Sequence, residues 1–236
     1  MKLSLVIPFH NEQGNIAEVL ERCANFAPKY DFELICVDDA SSDQSPKVFQ
    51  EILASSRYAF AKLIAVTPQD HRGYGHAIMT GVRAAQGEVI AWTHSDLQAD
   101  PGDVFRALAQ YLKQSDPQTI IQGKRIGRKI GSVLFSLGMG TVASLILGKI
   151  FFEINAQPKL FPRSFLPHLA RAPEDFSLDL YLLYQAKKHG YPIKRIPVQL
   201  HARAFGQSKW GYSFWAKIKT IARTIRYILA LRKTAN

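Results

Sequence analysis

Short apolar runs alternate along the first half of the chain with segments whose apolar residues recur at helical spacing. The runs are typical of buried strands: LSLVIPF (3–9), FELICVDD (32–39), KLIAV (62–66), EVIAW (88–92) and TIIQGKR (119–125). Helical spacing predicts helices at 15–27, at 46–53 and at 101–114. A further helix is predicted to follow the loop DHRGYGHA and to end at about residue 86. Near-continuous apolar strands that alternate with helices indicate a parallel sheet covered on both faces. The pattern therefore predicts an α/β fold with a mostly parallel sheet.

The second half continues with three further elements. FEINAQPKLF (152–161) is predicted as a strand, residues 175–190 as a helix that ends at Gly190, and IKRIPVQL (193–200) as a strand. The sequence contains no internal repeat and no low-complexity linker. A single domain over residues 1–236 is therefore expected.

Residues 130–148 are an uncharged stretch that contains several glycines. Its length is compatible with a membrane-spanning helix. Its place between elements that should pack together favours instead a helix that is buried or lies against a bilayer. Both interpretations remain open from the sequence.

The C-terminal stretch has the pattern of a basic amphipathic helix, preceded by Trp210 and Trp215. Its apolar stripe consists of Ile218, Ile221, Ala222, Ile225, Ile228 and Leu229. Its basic flank consists of Lys219, Arg223, Arg226 and Lys233. This pattern favours a helix that rests on an anionic membrane surface. The alternative is an ordinary surface helix packed on the domain.

The charge balance indicates anionic partners. Lys and Arg number 30 against 19 Asp and Glu, which gives a formal net charge of +11. A basic surface favours nucleic acid, phosphorylated substrates or an anionic bilayer. Nucleic acid is not expected, because the sequence has no RNP-like motif and no paired aromatic platform.

Two features bear on location. Cys23 and Cys36 lie in apolar patterns and are predicted to be buried free thiols, which fits a reducing cytosol. The N-terminal MKLSLVIPFHNE has too short an apolar run for a signal peptide. A cytoplasmic protein is therefore expected.

Polar residues follow four of the predicted strands directly. PFHNE, VDDASSD, THSD and GKR stand at these strand ends. Because the carboxyl ends of parallel strands meet at one edge, where such sheets bind ligands, we expect these residues to converge on one site.

The residue types at these ends suit a phosphorylated nucleotide. Asp38 and Asp39 point to alternate sides, so one can accept hydrogen bonds from a base or a ribose while the other caps the following turn. Asp96 can hold a divalent cation, since hard cations prefer oxygen ligands, and His94 can face the same way. The alternative is structural: the same residues could simply end a strand and cap the helix that follows. Candidate phosphate-binding groups are Arg125, Arg128, Arg203, Ser208 and Lys209.

Five motifs, in this order and spacing, resemble those of inverting family 2 glycosyltransferases. They are LSLVIPFHNEQGNI, VDDASSD, THSDLQADP, GKR and RAFGQSKW. The resemblance covers nearly the whole chain and is nearest to the polyprenyl-phosphate glycosyltransferases, such as dolichyl-phosphate mannose synthase. It implies a Rossmann-like GT-A fold in which 1–125 bind the nucleotide sugar, 126–211 bind the acceptor and 212–236 form the amphipathic helix.

The resemblance also implies roles for the residues of the donor site. Pro8, His10 and Glu12 match positions that line the nucleotide pocket. Asp39, with Asp38 beside it, matches the acid that reads the base. Two further matches concern the metal: Asp96 matches the last acid of the D-x-D motif, and Gln98 matches the glutamine that helps hold the metal.

Basic residues match the positions that handle phosphate in the family. Arg125 matches the arginine of a G-S-R segment, and Arg128 with Ser132 matches an acceptor-phosphate pair. Arg203 and Lys209, with Ser208 between them, match the R-x-x-G-x-S-K loop that closes over the donor.

The D-x-D motif departs from the family pattern, because its first acid is His94. A neutral imidazole can bind Mn²⁺ but suits Mg²⁺ poorly. His94 can equally bind the ribose or be structural, and a basic residue can replace the charge of the metal. The resemblance thus implies a divalent cofactor, Mn²⁺ or Mg²⁺, with His94 as its least certain ligand.

Three functions are compatible with these residues. The first is transfer of a sugar from a nucleoside-diphosphate sugar, linked to uridine or guanosine, to a polyprenyl phosphate at a membrane surface. The second is transfer to a hydroxyl acceptor such as a lipopolysaccharide or another glycan, which needs a base such as Glu174, Asp175 or Asp179. The third is nucleotide binding without turnover.

For the first function, the resemblance implies a location on the inner face of the cytoplasmic membrane. The bilayer contact is expected to be peripheral, because the sequence lacks the pair of C-terminal transmembrane helices found in some relatives. The predicted partners are the nucleotide sugar, polyprenyl phosphate and the anionic membrane surface. Assembly into a homo-oligomer is left open.

Overall fold

The computed structural model describes residues 1–67, 70, 72–128, 130–203, 205 and 214–233, and for residues 130, 135 and 214–220 it describes the backbone alone. The strands are β1 (Leu3–Phe9), β2 (Phe32–Asp39), β3 (Ala61–Val66), β4 (Val89–Trp92), β5 (Ile120–Ile126), β6 (Lys159–Pro162) and β7 (Ile193–Gln199). The α-helices are α1 (Ile16–Ala24), α2 (Ser45–Leu53), α3 (Tyr74–Ala84), α4 (Gly102–Tyr111), α5 (Ile130–Leu147), α6 (Leu178–Lys188) and α7 (Phe214–Lys233). Short 3₁₀ helices cover Ser56–Tyr58 and Arg163–Leu169.

The strands of the described residues form one sheet in the order β3-β2-β1-β4-β6-β5-β7. In it β1 runs parallel to β2 and β4, with Val6 opposite both Ile35 and Trp92. Only β6 pairs antiparallel within this part of the chain, which places Lys159 opposite Trp92. The carboxyl ends of β1, β2, β4 and β5 therefore share one edge with the start of β6. The predicted α/β fold with a mostly parallel sheet is confirmed.

Apolar side chains cover both faces of the sheet. On β1 the alternation of a strand sends Val6 to one face and Leu5 and Ile7 to the other. The face of Val6 packs against α3 and α6, and the opposite face packs against α1, α2 and α4. Burial on both faces explains why these strands are apolar nearly throughout.

The two helices that the sequence singled out, α5 and α7, pack against each other. Ala143 of α5 and Ile228 and Leu231 of α7 are buried in the same core as the sheet. Of the predicted apolar stripe, Ile228 is buried, whereas Ile221 and Leu229 are exposed. The helix therefore packs on the domain, as in the alternative interpretation, and its resting on a membrane stays a prediction. None of the described helices is long and apolar enough to cross a membrane.

The strand predicted at 152–161 is wrong over most of its length. Only its last residues pair, as β6, and the backbone before them is irregular. Glu153 has a φ of 49°, a left-handed conformation that a strand does not allow. Its carboxylate is held by arginines from outside this segment, so side-chain pairing overrides the strand-like pattern.

Candidate active site

The ends of β1 and β2 are joined by hydrogen bonds at the edge where the strands terminate. His10 Nδ1 donates to the backbone oxygen of Asp39 at 2.7 Å, and the N–H of Asn11 donates to Ser41 Oγ at 2.9 Å. Pro8 lies two residues before His10, within β1 and near the same edge. The predicted convergence of these two strand ends is therefore observed.

The adjacent acids at the end of β2 are both almost fully buried. Asp38 Oδ1 accepts a hydrogen bond from the N–H of Ser41 at 3.2 Å, so Asp38 is the residue that caps the turn. Asp39 holds the end of β1 through its backbone oxygen. Its role in reading a base remains a prediction.

A second set of contacts joins the end of β4 to the start of the segment after β7. Arg203 Nη2 donates to Asp96 Oδ2 at 2.8 Å, and Arg203 Nη1 lies 3.5 Å from Glu12 Oε1. Asn15 Nδ2 donates to the other Glu12 oxygen at 2.5 Å. We call Glu12, Asp96 and Arg203 the acid-rich cluster, because in the described structure two carboxylates share one guanidinium.

Backbone hydrogen bonds place the members of the acid-rich cluster side by side. The N–H of Gln98 donates to Asp96 Oδ1 at 3.1 Å, which orients the carboxylate. The carbonyl of Gln98 accepts the N–H of His201 at 2.9 Å. The hydrogen bond from His201 holds the chain two residues before Arg203 next to Gln98. The side chain of Arg203 can therefore reach Asp96.

The electrostatics of the cluster are uneven. Burial raises the pKa of Glu12, and the nearby charges of Asp96 and Asp43 act in the same direction. The hydrogen bond from Asn15 and the charge of Arg203 oppose this shift without cancelling it. Burial is therefore the main influence on the pKa of Glu12, and the charge of Arg203 does not offset it.

His94 is partly buried beside aromatic side chains and lies close enough to Asp96 and Arg203 to interact with their charges. Its ring centroid is 5.4 Å from that of Tyr74, which stacks on Phe176. Burial lowers the pKa of His94, so its imidazole is neutral at pH 7. Its predicted role as a metal ligand is not tested by these contacts. Nowhere in the described residues do three or more His, Cys, Asp or Glu side chains come together as a metal site.

A fully buried ion pair lies at the same edge of the sheet. Lys159 Nζ is 3.2 Å from Asp179 Oδ1 and donates to two backbone carbonyls, of Ile154 at 2.8 Å and of Ala156 at 2.6 Å. Asp179 also accepts hydrogen bonds from the side chains of Tyr74, Trp92 and Gln157. Both oxygens of Asp179 are thus engaged in buried contacts, which indicates a structural role for this carboxylate.

The other two candidate bases are engaged as well. Glu174 forms an exposed ion pair with Arg72 at 3.1 Å. Asp175 accepts the N–H of Ser177 at 2.9 Å, before α6, and lies 3.5 Å from Arg223 of α7. These contacts are those of surface and capping residues.

Basic residues gather at the end of β5 and just beyond it. Arg125 Nε and Arg128 Nη1 donate to the two oxygens of Glu153, at 2.6 and 2.8 Å. Ser136 Oγ of α5 accepts from Arg125 at 3.3 Å and from Arg128 at 2.6 Å. We call Arg125, Arg128, Ser136 and Glu153 the arginine-rich cluster.

The arginine-rich cluster is partly desolvated. The side chain of Arg128 is only 6% exposed, and burial together with the charge of Arg125 lowers its pKa. Ser132, the predicted partner of Arg128, contributes its backbone oxygen as an acceptor for that guanidinium. Ser136, one helical turn further on, supplies the hydroxyl.

The sequence-predicted site residues thus fall into two groups. Pro8, His10, Glu12, Asp38, Asp39, His94, Asp96, Gln98 and Arg203 lie at or beside the ends of β1, β2 and β4. Arg125, Arg128 and Ser132 lie at the end of β5 and the start of α5. Ser208 and Lys209 lie outside the described residues.

Three residues were missed from the sequence. Glu153 and Lys159 were hidden in a segment predicted as a strand, where a single charge draws no attention. Ser136 could have been found, because it follows Ser132 at the helical spacing of four residues and so faces the same side.

The family comparison agrees with this geometry. The family described as Glycosyl transferase family 2 matches residues 4–168. A dolichol-phosphate mannosyltransferase of Pyrococcus furiosus is 26% identical over 245 residues, which cover 99% of this chain and 64% of the relative. An undecaprenyl-phosphate 4-deoxy-4-formamido-L-arabinose transferase of Pseudomonas fluorescens is 32% identical over 216 residues, which cover 89% of this chain and 60% of the relative. The chain therefore spans somewhat less than two thirds of these relatives.

Solved structures share the fold. The glucosyl-3-phosphoglycerate synthase of Mycobacterium tuberculosis, crystallised with Mn²⁺, UDP and glucosyl-3-phosphoglycerate, superposes with a TM-score of 0.72 at 17% identity. The match covers 98% of this chain and 79% of that protein. The same synthase was also crystallised with Mg²⁺ and UDP, with a TM-score of 0.70. At this identity the likeness supports the fold.

Proposed function

The chain belongs to glycosyl transferase family 2, and we propose that it transfers a sugar from a nucleoside-diphosphate sugar to a polyprenyl phosphate with inversion. The observation that carries the proposal is the arginine-rich cluster. Among the described side chains its two guanidinium groups share the single carboxylate of Glu153, which leaves positive charge for an anion. Guanidinium groups bind phosphate through paired hydrogen bonds, so a phosphate monoester suits this cluster.

The acceptor chemistry fits the absence of a dedicated base among the candidates. A phosphate monoester is mostly ionised at neutral pH, since its second pKa is about 6. Its oxygen attacks the anomeric carbon, and the bond from that carbon to the nucleoside diphosphate breaks, with the electron pair leaving on the diphosphate. One such displacement inverts the anomeric centre. No proton needs to be removed, which agrees with Glu174, Asp175 and Asp179 being held in other contacts.

The donor is proposed to lie over the acid-rich cluster, with its uracil or guanine base near Asp39. The residues present fit a divalent ion, Mn²⁺ or Mg²⁺, because a cationic guanidinium already lies at Asp96. Asp96 and Gln98 would hold the ion, since such ions need only one or two carboxylates when substrate phosphates complete their shell. A bound ion supplies positive charge against the departing diphosphate.

The polyprenyl chain places the reaction at a membrane surface. On α5 the side chains of Leu134, Leu137 and Leu145 are 63%, 49% and 78% exposed, and on α7 Leu229 is 46% exposed. Exposed apolar side chains on paired helices, with basic residues nearby, favour peripheral contact with an anionic bilayer. We propose that these helices rest on the cytoplasmic face of the membrane, beside the arginine-rich cluster.

A transfer assay tests the chemistry. Labelled UDP- and GDP-sugars are incubated with a short polyprenyl phosphate, with the matching polyprenol and with a free glycan, in the presence of Mn²⁺ or Mg²⁺. We expect label to enter only the lipid phosphate. Transfer to the polyprenol or the glycan would contradict the phosphate acceptor, and nucleotide binding without any transfer would favour the non-catalytic function.

Vesicle co-sedimentation tests the location. Replacing Leu134, Leu137 and Leu145 by Gln should weaken binding to anionic vesicles at least about tenfold, because each leucine loses apolar burial in the interface. The control is Leu112→Gln, an equally exposed leucine beyond the end of α4 on the opposite face of the sheet. Equal vesicle binding by both variants would exclude α5 as the membrane surface.

A further inference from the structure

We propose that Arg203 occupies the cation position between Asp96 and Glu12 in the free protein, and that it moves onto the donor diphosphate when a divalent ion binds there. The inference rests on the proposed function, because it assigns this exchange to the donor site. It makes Arg203 a built-in counter-ion that occupies the cation position until a divalent ion displaces it.

The contacts of Arg203 are those of a counter-ion. Its two Nη groups reach two different carboxylates, Asp96 at 2.8 Å and Glu12 at 3.5 Å. One contact is short and the other is at the limit of a hydrogen bond, so the guanidinium is shared unequally. The second oxygen of Asp96 is taken by the N–H of Gln98. With Arg203 in place, both oxygens of Asp96 are engaged, so a metal at Asp96 Oδ2 has to compete with the guanidinium.

The charge of the cluster matches a divalent ion better than a guanidinium. Over the described side chains, two carboxylates against one arginine leave one formal negative charge in excess. An ion with two positive charges would neutralise both carboxylates, and it would release the arginine.

The Nε group of Arg203 is available to bind the donor diphosphate. Arg203 Nε is buried and has no hydrogen-bond partner among the described residues. A buried N–H without a partner is costly, and a diphosphate oxygen would satisfy it. The backbone bond from His201 to Gln98 keeps Arg203 within reach of the site while its side chain changes partners.

The exchange predicts that removing Arg203 strengthens metal binding. Mn²⁺ binding is measured by calorimetry without any nucleotide for the unaltered protein, Arg203→Ala, Arg203→Lys and Arg57→Ala. We expect Arg203→Ala to bind Mn²⁺ at least tenfold more tightly than the unaltered protein, because the competing cation is gone. Arg203→Lys keeps the positive charge but lacks the planar, two-pronged guanidinium. Its Mn²⁺ affinity should lie between those of Arg203→Ala and the unaltered protein.

Two further variants make the result specific. Arg57 forms an exposed ion pair with Glu21 before β3, at the far edge of the sheet, so Arg57→Ala should leave Mn²⁺ affinity unchanged. Adding Asp96→Asn to Arg203→Ala should remove the gain. Equal Mn²⁺ affinities of Arg203→Ala and the unaltered protein, including no detectable binding to either, would overturn the proposal, as would a gain that survives Asp96→Asn.

A nucleotide measurement separates this inference from the proposed function. At saturating Mn²⁺, Arg203→Ala should bind UDP or GDP at least tenfold more weakly than the unaltered protein. The same variant thus gains metal affinity and loses nucleotide affinity. If neither nucleotide binds the unaltered protein under any condition, the proposed function fails, whereas the nucleotide-free Mn²⁺ comparison decides the position of Arg203 by itself.

Discussion

The two charged clusters at the edge of the sheet are built from the same groups in opposite proportions. In the described structure the acid-rich cluster sets one arginine between two carboxylates, and the arginine-rich cluster sets two arginines around one carboxylate. One is short of positive charge and the other has it in excess. We propose that the group in the minority is replaced by a ligand of the same charge: Arg203 by a divalent cation, and Glu153 by the acceptor phosphate.

The clusters also differ in how the fold supports them. Glu12 and Asp96 follow β1 and β4, so their positions are set by neighbouring central strands of one sheet. Arg128 and Ser136 sit before and within α5, and Glu153 comes from an irregular segment. The first cluster has a rigid frame, and the second depends on a helix that also faces outward. Nucleotide binding should accordingly be separable from acceptor binding by mutation.

The largest expected effect comes from the acid-rich cluster. Asp96→Ala should lower kcat about 100- to 1,000-fold, the usual loss when a group that stabilises transition-state charge is removed. Circular dichroism should show an intact fold, because Asp96 lies at a strand exit outside the core. The control is Glu88→Ala, an exposed carboxylate just before β4 at the opposite edge. Near-normal turnover of Asp96→Ala would contradict the site assignment.

Arg128→Gln should have a smaller effect, confined to the acceptor. Hydrogen bonds to charged groups contribute about 1.5–3 kcal/mol, so the KM for polyprenyl phosphate should rise roughly 10- to 100-fold. The affinity for the nucleotide should not change. Arg195→Gln is the matched control, since Arg195 lies nearby over the ring of Phe152 and, among the described side chains, forms no hydrogen bond or ion pair with the cluster. A loss of nucleotide affinity in Arg128→Gln would show that the two clusters are not separable.

Glu153→Gln should act in the opposite direction. If the acceptor phosphate replaces Glu153 between the arginines, as proposed, removing the charge of Glu153 should lower the KM for polyprenyl phosphate about three- to tenfold, a change on the order of 1 kcal/mol. The amide keeps one acceptor oxygen, so it can still hold one of the two arginines, whereas its NH₂ group cannot accept a hydrogen bond from the other. A raised KM would mean that Glu153 positions the arginines rather than competing with the acceptor.

The smallest expected effect concerns the stability of the acid-rich cluster with pH. The pKa of Glu12 is raised in the folded protein, so the folded state binds a proton more tightly than the unfolded chain. Stability relative to Glu12→Gln should be equal below the ordinary pKa of about 4.5. It should then fall as pH rises above that value through the raised pKa, because ionising Glu12 costs more in the fold. If thermal melts showed that the unaltered protein gains stability relative to Glu12→Gln as pH rises through this window, the charge of Arg203 would outweigh the effect of burial on the pKa of Glu12.

Most of the sheet and the acid-rich cluster could be predicted from the sequence. The strands β1 and β2 were predicted residue for residue, because strands that are buried on both faces are apolar almost throughout. Once these strands are parallel, their polar ends must meet at one edge, so Glu12 and Asp96 could be placed together. The charge pattern also predicted that α7 would be a basic amphipathic helix.

The rest depended on contacts between distant segments. Nothing local in FEINAQPKLF distinguishes a strand from a segment in which Glu153 turns back to two arginines and Lys159 is buried against Asp179. Likewise the motif predicted that Arg203 would serve the donor, but its place between Glu12 and Asp96 follows from the bond of His201 to Gln98. Such pairings across the chain leave no periodic signal.

The central claim is that the acid-rich cluster binds the donor and the arginine-rich cluster binds the acceptor phosphate. Binding of a short, water-soluble prenyl phosphate in the absence of donor tests this claim most directly. Calorimetry with farnesyl phosphate is performed on the unaltered protein, Asp96→Asn and Arg128→Gln. The arginine-rich cluster should hold the phosphate, so the unaltered protein and Asp96→Asn should bind it equally, and Arg128→Gln should bind at least about tenfold more weakly. Undiminished binding by Arg128→Gln, or binding lost in Asp96→Asn, would contradict the assignment of the acceptor phosphate to the arginine-rich cluster.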